Sequence, residues 1–144
     1  MLKIAQIFRR VAVIMKNIVR EIPLANGLTV RFTDATRRYF GDYHQVRVEI
    51  SCEVPVTAQL FDDPVSLAVA LKLLGAKVCY LKQIEHQGVP SLGTAAAVQQ
   101  VIQQFIDHSL SYFASEAFAR RFVQSELNRL RARSTSFVPL RAHG

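Results

Sequence analysis

"VRVEISCEVPV", residues 46 to 56, spaces Val46, Val48, Ile50, Cys52, Val54 and Val56 two apart, with Arg47, Glu49, Ser51 and Glu53 between them. Successive side chains of a strand point to opposite faces, so this spacing makes one face apolar and the other wet. Sheets covered on a single side carry that pattern, and they are antiparallel. Pro55 has no N–H to give to a ladder and marks where pairing ends.

Upstream, Ile18, Ile22 and Leu24 alternate with polar positions, and Leu28, Val30 and Phe32 alternate with Thr29, Arg31 and Thr33. Ala25-Asn26-Gly27 stands between the two runs. A two-residue turn would send their apolar sets to opposite faces. A three-residue loop with Gly27 in the left-handed conformation sets Leu24 against Leu28 and Ile22 against Val30, and is the loop expected here. "TRRYFGDYH", residues 36 to 44, then reads as a connection into the strand of Val46, turning at Gly41-Asp42.

Downstream, Asp62-Asp63-Pro64 has the form of a helix start and Gly75 that of a stop. Leu67, Ala70, Leu71 and Leu74 make one stripe, while Val65, Val69 and Leu73 occupy much of the remaining surface. A helix so apolar is expected to be covered on two sides, by the sheet and by another helix or subunit. Lys77 to Glu85 reads as a fourth strand. Thr94, as N-cap, opens a long helix with Val98, Val101, Ile102, Phe105, Ile106, Ser109 and Phe113 in line. Ser115-Glu116 interrupts it, and a last helix carries Phe118, Phe122, Val123, Leu127 and Leu130.

Residues 1 to 16 place Ile4, Ile7, Phe8, Val11, Ile14 and Met15 at helical spacing, opposite Lys3, Gln6, Arg9, Arg10 and Lys16. This predicts a basic amphipathic helix suited to an anionic membrane surface or a partner, with Met15 as a second candidate start. The fold expected is α+β: a four-stranded antiparallel sheet with helices packed on one face, in the order α-β-β-β-α-β-α-α. Residues 17 to 133 form one domain in this reading, and 134 to 144 a flexible tail. A chain of 144 residues is long enough to bury one core.

The net charge of +7 is unevenly spread. Residues 1 to 20 hold +5 and residues 115 to 144 hold +4, leaving −2 for the middle. No apolar run approaches the roughly 20 residues that span a bilayer. Cys52 and Cys79 lie on separate predicted strands without C-x-x-C spacing, and are read as two small buried hydrophobes in a reducing, cytoplasmic setting.

The chemistry-bearing motifs fail one by one. Gly88-x-x-x-x-Gly93-Thr94 lacks the lysine of a phosphate-binding loop. The four histidines, His44, His86, His108 and His143, have no local spacing that would fix two corners of a metal site. Cys52 faces the core, where an apolar setting raises a thiol pKa. Neither an enzyme nor a cofactor or metal is expected. In the 36–44 connection, either Phe40 folds back to plug the core, or Arg37 and Arg38 hold phosphate while Tyr39 or Tyr43 stacks. The expectation is a non-catalytic structural or partner-binding protein, a homo-oligomer. The alternative is a binder of RNA, DNA or an anionic membrane, working through Arg37, Arg38, Tyr39, Tyr43, Arg129, Arg131 and Arg133.

Overall fold

The computed structural model describes the backbone of residues 18–142 and the side chains up to Arg133; the expected amphipathic helix of residues 2–16 lies outside the described residues. Strands β1 (Ile18–Pro23), β2 (Thr29–Asp34), β3 (Arg37–Phe40) and β4 (Tyr43–Pro55) are followed by helix α1 (Pro64–Leu74) and strand β5 (Lys77–Pro90). Helices α2 (Thr94–Ala114) and α3 (Glu116–Ala142) complete the order. The molecule is α+β with a five-stranded antiparallel sheet, β1-β2-β4-β5, and β3 also pairs with β4.

The sheet has five strands rather than four because the second strand is broken. Val30 pairs with Cys52, Asp34 with Val48 and Arg37 with Gln45, so β2 and β3 keep one register along the same edge of β4. At the break Asp34 Oδ1 accepts the Thr36 N–H at 3.0 Å, and Ala35 N donates to Arg47 O at 2.8 Å. A side chain that bonds its own backbone two residues on bends the strand locally without releasing it. The stretch 36–44, expected as a connection, is therefore the outer end of a long hairpin.

The first turn is the three-residue loop its pattern demands: Ile22 pairs with Val30, and Leu24 N donates to Leu28 O at 2.7 Å. Gly27 sits at φ 87°, a conformation that a side chain disfavours. Asn26 uses the loop to tie the two layers together. Its Oδ1 accepts the Leu28 N–H at 3.2 Å, and its Nδ2 donates to Phe113 O at 2.8 Å at the end of α2. Asn26→Ala leaves that half-buried carbonyl and amide short of partners and should cost about 1–2 kcal/mol, read from the urea midpoint.

The alternation of β4 holds from Val46 onward, with Val46, Val48, Ile50 and Cys52 at 0 % exposure, while a register shift between His44 and Val46 leaves the neighbouring Gln45 buried as well. α2 lays Val98, Val101, Ile102 and Phe105 on that face, and α3 adds Phe118 and Val123. Phe32 meets Phe105 edge-on with ring centroids 5.6 Å apart, while Tyr80 contacts Phe113 at 4.9 Å and Phe122 at 5.7 Å. The opposite face is polar apart from Leu81, 60 % exposed, and its side chains bind one another: Arg31 pairs with Glu21 at 3.3 Å and Lys77 with Glu53 at 3.2 Å, and Gln83 donates to Glu49 at 3.0 Å.

Other expectations need correction. β5 runs on to Pro90, five residues past Glu85, because β4 offers it a partner as far as Tyr43. Thr94 is the first residue of α2, not its cap; a 3-10 turn at Ser91–Gly93 precedes it, and its hydroxyl donates to Ser91 O at 3.1 Å. Cys79 is exposed, since its pairing with Glu53 puts it on the polar face of an edge strand. Asp63 and Gly75 do bound α1 as expected, with Asp63 Oδ1 accepting the Ser66 N–H at 2.7 Å. α3 ends at Ala142, so its last residues fall in the stretch read above as a tail.

Candidate functional site

Two exposed apolar surfaces stand out, at opposite ends of the sheet. The first is the tip of the β3–β4 hairpin. Phe40 pairs with Tyr43 across Gly41-Asp42, and Phe40 is 73 % exposed. It does not fold back into the core, which the hairpin's length carries it beyond. Asp42 Oδ1 accepts the Ser91 hydroxyl at 2.5 Å, and Tyr43 pairs with Pro90, so the β5–α2 corner is fastened to the tip. Leu92, one residue further, is 101 % exposed, as open as in an isolated peptide. That Ser91 hydroxyl is the main reason the Asp42 carboxyl is held below its usual range, with His44 and Arg38 adding to it.

Behind the tip the hairpin is braced by a buried glutamine. Gln45, 7 % exposed, accepts Arg37 Nε at 2.8 Å and Arg47 Nη2 at 3.3 Å, and donates to Glu85 Oε2 at 3.2 Å. Arg47 Nε also lies 2.9 Å from Glu85 Oε1, although its N–H does not point at that oxygen. Tyr39 reaches across β4, its hydroxyl 3.8 Å from where a side chain on Gly88 would begin. Arg37, Arg38, Tyr39 and Tyr43 are thus brought together, with Arg37 occupied as a structural tie and Tyr39 laid along the hairpin.

The second surface is the outer side of α1. Ala70 is buried against Val56 and Leu127, with Leu67, Leu74 and Phe61 packed around them. The sheet does not cover this helix: it packs on α3 beyond the end of β4, and the described residues hide only one side of it. Val65 is 73 % exposed, Leu73 46 % and Leu71 42 %, and Lys72 is the one charge among them.

Arg129, Arg131 and Arg133 belong to this second end, because Leu127 lies under α1 while the hairpin tip is at the start of β4. A 13-residue strand separates them by about 40 Å. Arg129 is paired with Glu126 on its own helix. The seven residues expected to hold a polyanion therefore form two groups and not one surface.

A cleft of about 770 Å³ opens between the β1–β2 loop and the start of α3, lined by Asn26, Thr57, Leu60, Glu116 and Arg120 among others. Its arginine is already engaged, donating to Gln59 O at 3.1 Å and to Asp62 Oδ1 at 3.3 Å. Among the described residues no three His, Cys, Asp or Glu side chains gather as a metal site, and no helix is long and apolar enough to cross a membrane.

Sequence reading missed Phe40 and Leu92 as surface features. The signal for Leu92 was present: a large apolar residue between Pro90-Ser91 and Gly93, where no strand or helix period accounts for it. No family model matches the chain, and no curated protein or solved structure matches it either.

Proposed function

We propose that this is a non-catalytic structural or partner-binding protein that works as a homo-oligomer joined through α1. The observation that carries this reading is the outward side of α1, where Val65 and Leu73 are exposed, Val69 is half-buried between them, and Lys72 is the one charge. A helix apolar on nearly all sides is ordinarily covered. The residue spacing of that face suits a second copy of the chain. With two α1 helices antiparallel and centred on Val69, Val65 of each meets Leu73 of the other, and Lys72 falls opposite Ser66 rather than opposite another lysine. Such self-complementarity is what a two-fold interface requires. An 11-residue helix is only about 16 Å long, so the contact is small and the association reversible.

Two free cysteines on opposite faces of the sheet are compatible with a reducing, cytoplasmic setting for this assembly. Sedimentation equilibrium tests the reading. The full chain should show a concentration-dependent dimer, and Val65→Glu should weaken it at least about tenfold, because the two most exposed apolar contacts of each interface would be replaced by carboxylates that must be desolvated. A strict monomer at every accessible concentration, or a dimer indifferent to that change, would refute it.

A further inference from the structure

β5 has 14 residues and pairs with β4 along one side only; among the described residues no strand lies on its other side. Which of its backbone groups face outward follows from β4. Arg47 turns both of its groups towards β2 and β3: its N–H donates to Thr36 Oγ1 at 3.4 Å, and its O accepts the Ala35 N–H at 2.8 Å. Val56 turns the other way, donating to Ala76 O at 2.9 Å beside β5. These directions alternate along an antiparallel strand, so Val48, Ile50 and Cys52 exchange bonds with Ile84, Lys82 and Tyr80. Cys79, Leu81, Gln83 and Glu85 therefore direct their N–H and C=O groups away from the sheet. Such a row is a template for another strand. Proline and bulges, which ordinarily blunt an edge, are both missing between Lys77 and Glu85.

We propose that this edge pairs antiparallel with the same edge of a second copy, about a two-fold axis at Leu81, joining two sheets into one. β5 is self-complementary in that register. Leu81, 60 % exposed on an otherwise polar face, meets Leu81 of the other copy. Lys77 of each copy stands opposite Glu85 of the other. Glu85 lies 2.9 Å from Arg47 and Lys77 lies 3.2 Å from Glu53, so the charges across the junction alternate in sign. They read Arg47, Glu85, then Lys77 and Glu53 of the other copy. Opposite charges placed in this way stabilise a strand pair, and like charges oppose it.

On the helix-covered face Val78 meets Ile84, each only half-buried within one chain, and Lys82 meets Tyr80 rather than a second lysine. A slip of two residues one way would set Lys82 against Lys82. The same slip the other way takes Lys77 off Glu85 and onto Gln83. The backbone supplies matching donors and acceptors in any of these registers, and the side chains select the one centred on Leu81. This contact uses none of the residues through which α1 is proposed to self-associate, and does not rest on that reading. With both in place, dimers are linked to one another.

Carbodiimide coupling of a mixture of unlabelled and isotope-labelled full chain tests the pairing. Lys77 and Glu85 of one chain are about 26 Å apart along the strand. The reagent joins only groups in contact, so a Lys77–Glu85 link should form between copies and appear in mixed-isotope peptides. Leu81→Lys sets two like charges directly opposite and should cut that yield at least about tenfold. Its melting temperature should hold, because Leu81 is exposed and has Ser51 as its partner on β4, with Glu49 and Glu53 to either side. The Val65→Glu chain should still give the link, which separates a failure here from a failure of the α1 dimer. Absence of the mixed link, or an equal yield from Leu81→Lys, overturns the inference. So does protection of the Leu81 amide from hydrogen exchange at every protein concentration, which would assign the edge to another segment of the same chain.

Discussion

Phe32→Ala should lower the unfolding free energy by about 3–5 kcal/mol, the usual cost of removing a fully buried ring from a core. Phe32 is 0 % exposed, pairs with Ile50 on β4, and meets Phe105 of α2 edge-on. The ring therefore joins sheet to helix layer, and a cavity there cannot be filled by either element moving alone. Against a total of about 5–15 kcal/mol for an ordinary domain, that loss leaves a visibly unfolded fraction at room temperature. Urea unfolding followed by circular dichroism measures it. A cost below about 1 kcal/mol would mean that the site collapses freely and that β2 and α2 pack loosely.

The second large effect concerns the two thiols. Burial pushes the Cys52 pKa up from 9.0 to about 11, with smaller contributions from Cys79 and Glu53 raising it and from Arg31 lowering it. At pH 8 a thiol at 11 has about one-hundredth the thiolate of one at 9, and only the thiolate reacts. Cys52 should thus hold about 100-fold less thiolate than the unfolded chain's thiols and be labelled correspondingly more slowly, and more slowly still because a reagent cannot reach it. Cys79, exposed on β5, should react in the first phase. Two equal phases in the native protein would show that β4 opens readily.

The same shift has a consequence for stability. A folded pKa above the unfolded one means that the protonated thiol is favoured by folding. That contribution is complete below about pH 9 and is lost as pH rises towards 11. Cys52→Ala should remove this part of the alkaline decline, while opening a small cavity of its own.

The two surfaces divide the molecule's work in a testable way. Val65 and Leu73 lie at the end of the sheet where β4 finishes, and Phe40 and Leu92 at the end where it begins. A dimer formed through α1 leaves the hairpin tips free.

The strand of Val46 to Val56 was legible residue by residue, because period two with one polar face admits few other structures. The Ala25-Asn26-Gly27 loop was equally legible, since only one loop length keeps Ile22 and Val30 on the same side. Asp63, Gly75 and the break at Ser115 followed from backbone chemistry that acts over three or four residues. What was not legible depends on distance along the chain. Whether 36–44 is a loop or a strand turns on β4 and β5 being long enough to pair with it, and nothing within those nine residues encodes that length.

The sequence by itself determined the local periods, the two caps of α1, the segregation of charge to the two ends and the apolar face of the sheet, because each arises from forces between near neighbours. The tertiary structure alone decided which apolar residues would stay in water. Phe40 and Leu92 have the composition of core residues, and Val65 and Leu73 the spacing of them, yet a side chain is buried only if another element arrives to cover it. Among the described residues no element does so at the hairpin tip or on the outer side of α1, and that is a property of how far the strands and helices reach, not of the residues themselves.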